Sequence, residues 1–290
     1  MEGGKSLKFT ERLVRIFKYA ETEAEKTASI VYPIHLLLGL LQERSSVCAE
    51  LTIQFPKLYE TLNERVEEMP FDKDEQGISH EPFYNKISES TKMVIKNANI
   101  RKKHFKQVYI NEGHIVHAIF KTNDSIPRVL FDELDVSRIL EIVSFPRDMI
   151  VSLKDYFLPP ITKNNITFRK AAQCDASDLL PFVKQEFGIG WLESIRHGFL
   201  QKNIPIFIAI ERQEIVGFAC YDVVRRKKGL FGPMGTTSSK RNQKIGSTLL
   251  HFCLDEMKEI GFEYAIIGEA GPIEFYEKVC NAVVIPKRVN

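Results

Sequence analysis

Hydrophobic positions follow two different rhythms along this 290-residue chain. In the front half they recur every three to four positions, the period of a helix that packs on one face. Ile16, Phe17, Ala20 and Ala24 form one such stripe after Phe9-Thr10-Glu11-Arg12-Leu13, and Thr91, Val94, Ile95 and Ala98 form another after Ile87-Ser88-Glu89. Thr10 and Ser88 stand where a hydroxyl would cap each helix start. From residue 166 onward, short strand-like runs alternate with helical stretches. The spacing predicts strands over 166–169, 206–210, 215–224, 230–236, 264–268 and 282–285. Between them it predicts helices from Asp175, as N-cap, to 187, then over 191–201, 245–260 and 272–279, with Gly261 closing the third. The element order is β-α-α-β-β-β-α-β-α-β.

The front half repeats itself. Leu13, Ile16, Phe17 and Ala20 match Thr91, Val94, Ile95 and Ala98 at one offset. One position further along, His35-Leu36-Leu37-Leu38-Gly39-Leu40-Leu41 matches His114-Ile115-Val116-His117-Ala118-Ile119-Phe120, and Leu51 matches Leu130. A one-residue slip is what a surface loop tolerates. Two units, over about 9–55 and 87–135, therefore form a pseudo-symmetric all-α domain assigned to 1–155. Pro159-Pro160 and the polar run after them break the rhythm, which places a linker at 156–165 and a second domain at 166–290.

The long helix of the second half, with Ile245, Leu249, Phe252, Cys253, Met257 and Ile260 on one face, opens at Arg241-Asn242-Gln243-Lys244-Ile245-Gly246-Ser247. A helix start presents unpaired amides and the positive end of the dipole, a natural phosphate site. This junction resembles the Gln/Arg-x-x-Gly-x-Gly/Ala motif of the GNAT acetyltransferases, with Arg241 and Gly246 in place and Lys244 where the first glycine belongs. Glu274-Phe275-Tyr276-Glu277-Lys278 is similar to that family's F-Y-E-K, and the element order is the family's. The resemblance implies an α/β (α+β) acyl-CoA N-acyltransferase fold with a mixed, twisted sheet. It further implies acetyl-CoA as co-substrate, its diphosphate held at 241–247, its pantetheine arm along Met234, Gly235 and Thr236, and Tyr276 as the acid that protonates the departing thiolate. The front half is similar to the double N-terminal repeat of Clp ATPases, through F-T-E-R and H-L-L-L-G-L-L. That likeness implies a non-catalytic domain which recruits protein partners. The glutamates that help some members bind phosphoarginine are altered here, at Tyr32-Pro33-Ile34-His35 and Asn111-Glu112-Gly113-His114.

An amine acceptor needs a base, and Glu269, Glu274 and Asp222 are the carboxylates near the expected strand ends. The segment holding Phe187, Gly188, Gly190, Trp191 and Arg196 is where the acceptor would bind, with Trp191 and Arg196 as contact residues. A protein amine, a small-molecule amine, or a non-catalytic adaptor role for the whole chain all remain open at this point. Apolar content of 44% and charged content of 27% are those of an ordinary globular protein, and a net charge of +2 argues for no nucleic-acid partner. The apolar runs are too short to span a bilayer, and the N-terminus has no apolar signal core. Five scattered cysteines without C-x-x-C pairs suit reduced thiols in a cytoplasm and no metal. Gly4-Lys5-Ser6 imitates the tail of a nucleotide-binding loop, but no strand precedes it. His114 and His117 lie one helical turn apart, and the repeat favours a structural role for His114 over a ligand role. Arg101-Lys102-Lys103-His104 is expected in a solvated loop, with docking of an acidic partner as the alternative.

Overall fold

The computed structural model describes residues 7–27, 29–69, 71, 75–121, 134–161, 165–225, 228–240 and 243–287. Gly4-Lys5-Ser6, Leu130, Arg226, Lys227, Arg241 and Asn242 lie outside them. The chain divides into one unit of residues 1–145 with 286–290, and another of residues 146–285. Among the described residues no helix is long and apolar enough to cross a membrane.

The first unit holds α1 (Glu11–Glu25), α2 (Pro33–Gln42), α3 (Ser46–Gln54), α4 (Leu58–Glu67), α5 (Glu89–His104), α6 (Glu112–Lys121) and α7 (Val136–Val143). Thr10 and Ser88 cap α1 and α5, accepting from the amides of Leu13 at 3.2 Å and Thr91 at 3.1 Å. The apolar stripes read from the sequence face inward, with Ile16, Phe17, Val94 and Ile95 all buried. Each such side chain contributes about 1.5–3 kcal/mol by leaving water. The two repeats interlock reciprocally. Thr10 N donates to Ile110 O and Ile110 N to Lys8 O; in the mirror position Ser88 N donates to Val31 O and Val31 N to Lys86 O. His35 and His114 play one part twice, each ring Nδ1 accepting the amide three residues earlier, of Tyr32 and Asn111, at 3.0 Å. Gly39 is required where α2 crosses α1, because a Cβ there would stand 2.5 Å from Ile16 O. The run Arg101-Lys102-Lys103-His104 is the last turn of α5, not a loop. Basic residues there complement the negative end of the helix dipole, which a reading by charge alone does not see.

The second unit is one seven-stranded sheet with helices on both faces. Its elements are β1 (Arg147–Ser152), β2 (Thr167–Lys170), α8 (Ala176–Phe187), α9 (Leu192–Phe199), β3 (Ile206–Glu211), β4 (Glu214–Tyr221), β5 (Leu230–Thr236), α10 (Ile245–Glu259), β6 (Tyr264–Ala270), α11 (Ile273–Cys280) and β7 (Val283–Val284). The strand order is β2-β3-β4-β5-β6-β1-β7, antiparallel except for β5 with β6. Leu179, Val183, Ile195, Ile206, Ile208 and Phe218 form the core under α8 and α9. On the other face α10 lies close to β4, where a Cβ on Gly217 would meet Ile245 Cγ2 at 3.0 Å. The sequence-based division at 155 is corrected here: β1 pairs with β6 and β7, so the sheet begins before the double proline. Its alternation is masked because Arg147 occupies an inward position, fully buried, with its Nη2 donating to Ile285 O at 2.9 Å. The expected linker is partly fastened to α10, since the Tyr156 hydroxyl bonds to His251 and Lys258 Nζ donates to Tyr156 O at 2.6 Å.

Two local expectations also change. Asp175 precedes α8, but its carboxylate turns back to the Ala172 amide and to Arg169 instead of capping the helix. Ile260 leaves the buried face of α10 at the C-cap and is 55% exposed. Gly261 follows with φ 99°, and the amides of Gly261 and Phe262 bond back to Lys258 and Met257, which is a Schellman ending.

Candidate functional site

The sheet opens at β5 and β6. Their parallel pairing consists of Leu230 with Ile266 and Phe231 with Ile267, while both strands run on beyond it. On its other side β5 remains paired with β4 up to Thr236. The Thr237 amide donates to Val216 of β4 at 3.0 Å. Backbone groups alternate sides along a strand, so Gly235 also turns to β4, and Met234 and Thr236 turn their amides and carbonyls into the opening. That leaves the polar edge of an extended strand free to pair with an extended, amide-bearing ligand.

The loop after β5 returns to start α10 at the mouth of this opening. Lys244 is the N-cap residue with φ 60° and ψ 12°, the left-handed region that glycine occupies without cost. An L residue pays about 1–2 kcal/mol for it. Lys244 thus adopts the backbone shape of a glycine, with an exposed side chain. Its carbonyl accepts the Thr248 amide at 3.0 Å and the Ser247 hydroxyl at 2.8 Å. Among the described residues no side chain caps the helix, so the amides of Ile245, Gly246 and Ser247 keep the donors of a first turn. Ile245 is itself buried as the anchor of α10, and Gln243 is exposed. A Cβ on Gly246 would stand 3.8 Å from Met234 Cε, Thr236 Cγ2 and Phe275 Cζ. These distances bring the end of β5, the first turn of α10 and α11 together. Gly235 has a different reason to be glycine: a Cβ there would lie 2.4 Å from Cζ of Phe187.

Tyr276 of α11 is buried, with its ring edge-on to Phe231 at 6.3 Å and to Phe275 at 5.0 Å. Burial, reinforced by Cys280, raises its hydroxyl above the ordinary tyrosine value, so the proton stays on at neutral pH. Glu269 is exposed on β6 and ion-paired with Arg225, while its amide donates to Asp148 at 2.8 Å. Asp222 is buried in the β4–β5 turn, accepting the Gly229 amide at 2.7 Å and facing Lys228 at 3.3 Å. That carboxylate closes the hairpin between β4 and β5. Glu274 lies in the first turn of α11, where the helix dipole favours a negative charge. Trp191 is 38% exposed and tilts against Phe187 at 5.2 Å, so it both packs and shows a face to solvent. Arg196 is exposed on α9. Sequence reasoning missed Arg225 as the partner of Glu269, since no spacing rule links residues that a sheet brings together from 44 positions apart.

A family model for the Clp repeat (R) N-terminal domain matches residues 8–134, and one for the acetyltransferase (GNAT) family matches residues 175–282. Three solved structures are similar to parts of the chain. The first is the GCN5-related glucosamine N-acetyltransferase region of a fungal multi-domain GH3 beta-N-acetylglucosaminidase, 15% identical, covering 53% of this chain and 22% of that one, with a TM-score of 0.42. The second is the N-terminal domain of the caseinolytic protease associated chaperone ClpD from Arabidopsis thaliana, at 24% identity, 47% and 92% coverage, and a TM-score of 0.38. The third is a GCN5-related N-acetyltransferase from Sphaerobacter thermophilus, at 20% identity, 51% and 52% coverage, and a TM-score of 0.41. The chain thus spans about a fifth of the fungal protein and about half of the Sphaerobacter one. None of the curated proteins matches it. The helical repeat and the opened mixed sheet agree with the two family models: the chain carries a Clp repeat N-terminal domain followed by a domain of the GNAT acetyltransferase family.

Proposed function

We propose that the second unit transfers an acetyl group from acetyl-CoA to an amine by direct attack, and that the first unit recruits the protein that bears or delivers that amine. The observation that carries this reading is Lys244, held in a glycine-like left-handed conformation at a helix start with no side-chain cap among the described residues, beside the part of β5 that runs past its pairing with β6. Three open amides and a solvent-facing ammonium suit a diphosphate, and the edge at Met234 and Thr236 suits the amides of a pantetheine arm. The amine nitrogen forms its bond to the acetyl carbon as the carbon–sulfur bond breaks. Tyr276 gives its proton to the departing thiolate and regains one from water, and the proton released by the amine leaves through solvent or a carboxylate. Glu269 is the sequence-based choice for that carboxylate, and it must first part from Arg225. Trp191 and Arg196 are assigned to the acceptor side. Tethering raises the effective concentration of a docked acceptor toward about millimolar.

Calorimetry of the full chain with acetyl-CoA, followed by thiol release over lysine peptides, polyamines and aminoglycosides, tests this. Binding and turnover with a lysine peptide are expected. No heat with acetyl-CoA at high micromolar concentration would overturn it. The engaged carboxylates of Glu269 and Asp222 favour one second reading, a CoA-binding adaptor without turnover, which binding without thiol release would select.

A further inference from the structure

We propose that the basic surface shared by α5 and α6 of the second repeat, built from Arg101, Lys102, His117 and Lys121 with the Phe105 ring against Arg101, docks an acidic peptide segment of a partner protein. This extends the recruiting role proposed above by naming its surface and the chemistry that fits it.

Arg101 and Lys102 are half-buried in the last turn of α5, and the Arg101 guanidinium lies 4.9 Å from the centre of the Phe105 ring. Phe105 is itself 49% exposed. His117 and Lys121 lie four apart on α6, one face of the helix. The charges that act on His117 are Arg101 and Lys121, both positive. The charge that acts on Lys102 is Lys103, again positive. Burial lowers the affinity of Arg101 and Lys102 for their protons, and no ion pair among the described residues offsets it. Among the described residues the carboxylate that acts on the adjacent His114, Glu112, is turned inward to Arg12. The helix dipole accounts for cations in the last turn of α5, but the exposed Lys103 and His104 already serve it. It does not account for two half-buried cations that have no ion pair among the described residues, with the neutral His117 ring and the Lys121 ammonium on the next helix. Like charges close together, one of them against an exposed aromatic ring, are costly alone and complementary to a segment of carboxylates with apolar residues between them. The cluster is too short to track a phosphate backbone, and the chain's net charge of +2 provides no wider field for one.

The probe is a fluorescein-labelled peptide of alternating Glu and Leu, titrated with the full chain and read by anisotropy. Binding is expected to weaken as salt rises from about 0.05 M to about 0.5 M. It should weaken about tenfold in Arg101→Gln/Lys102→Gln, and several-fold in His117→Gln/Lys121→Gln, with melting temperature and acetyl-CoA binding unchanged. Equal affinity in wild type and both variants would overturn this surface while leaving recruitment by another face intact. Absence of peptide binding, or tighter binding of a DNA duplex than of the peptide, would overturn it too. Capture of partner proteins by the full chain is scored separately and decides the recruiting role itself.

Discussion

Arg12 of α1 donates to Glu112 of α6 at 2.7 Å, and both side chains are buried, so one ion pair joins the first repeat to the second. Arg12 Nε also donates to Ser45 at 3.2 Å, whereas Glu112 Oε2 is buried without a hydrogen-bond partner among the described residues. A glutamate committed in this way does not reach the surface to bind a guanidinium ligand. Removing either partner leaves the other charge buried, which costs about 3–5 kcal/mol, while replacing both with apolar groups is often nearly neutral. Arg12→Leu and Glu112→Leu are each expected to destabilise the first unit by that amount, and the double variant by clearly less than either. Hydrogen exchange of α1 amides isolates this unit from the other. Additive losses in the double variant would show that the pair is not the source.

Acid should loosen the first unit through its repeated histidines. Burial holds His35 and His114 down to about 4, from an ordinary value of 6.5. For His114 the nearby Arg101 and Lys102 act in the same direction, and Glu112 opposes them; for His35 Glu23 opposes burial. Between those limits the unfolded chain binds a proton at each ring that the folded chain refuses. The stabilising contribution is therefore complete above about pH 6.5 and falls by about 1.4 kcal/mol per pH unit per histidine toward pH 4. His35→Gln should halve that slope between about pH 5 and pH 6.5, where carboxylates contribute little. A stability profile flat across this window would refute the assignment.

How far the residues announce the fold differs between its parts. The α1 and α5 stripes and their Thr10 and Ser88 caps were legible because each is a local pattern that tertiary packing also satisfies. The strand at 230–236 was read to the residue, since Gly229 and the polar loop bound it on both sides. β1 was not legible, because a buried arginine breaks its alternation and its partners lie more than a hundred positions away. At the site, the type of junction was readable, but the left-handed turn at Lys244 was not. Propensity argues against that conformation, and only the closure of the loop onto α10 imposes it.

Gly246 and Lys244 separate fold from ligand with opposite signs. A methyl on Gly246 would meet neighbours at 3.8 Å, ordinary contact distance, so Gly246→Ala should fold and gain about 0.5 kcal/mol from lower chain entropy. The motif accepts alanine at this place, so acetyl-CoA affinity should hold within about twofold in Gly246→Ala, whereas the longer side chain of Gly246→Leu would occupy space beside the helix-start amides and should cost about tenfold. Lys244→Gly relieves the left-handed strain at a smaller cost in unfolded-state entropy, for a net gain of about 0.5 kcal/mol. It also removes the ammonium, so acetyl-CoA binding should weaken several-fold at low salt and lose part of its salt dependence. Calorimetry paired with thermal melts reads both. Unchanged affinity in both Gly246→Leu and Lys244→Gly would place the diphosphate elsewhere.

Tyr276→Phe is the sharpest test of the chemistry. The Tyr276 hydroxyl makes no hydrogen bond among the described residues, while its ring packs on Phe231 and Phe275. Phenylalanine keeps the ring and forfeits only the hydroxyl, so stability should stay within about 0.5 kcal/mol of wild type. A positioned acid contributes about 10² to 10⁴ in rate, and kcat for thiol release should fall within that range while KM for acetyl-CoA holds. Because burial raises the hydroxyl's pKa, the wild-type enzyme should show no loss of activity from phenol ionisation up to about pH 10, the ordinary tyrosine value. A variant that turns over at the wild-type rate would reduce Tyr276 to a packing residue, and the thiolate would then have to take its proton from water. A variant with the same kcat loss but a lowered melting temperature would instead point to a displaced α11, which the intact KM is there to exclude.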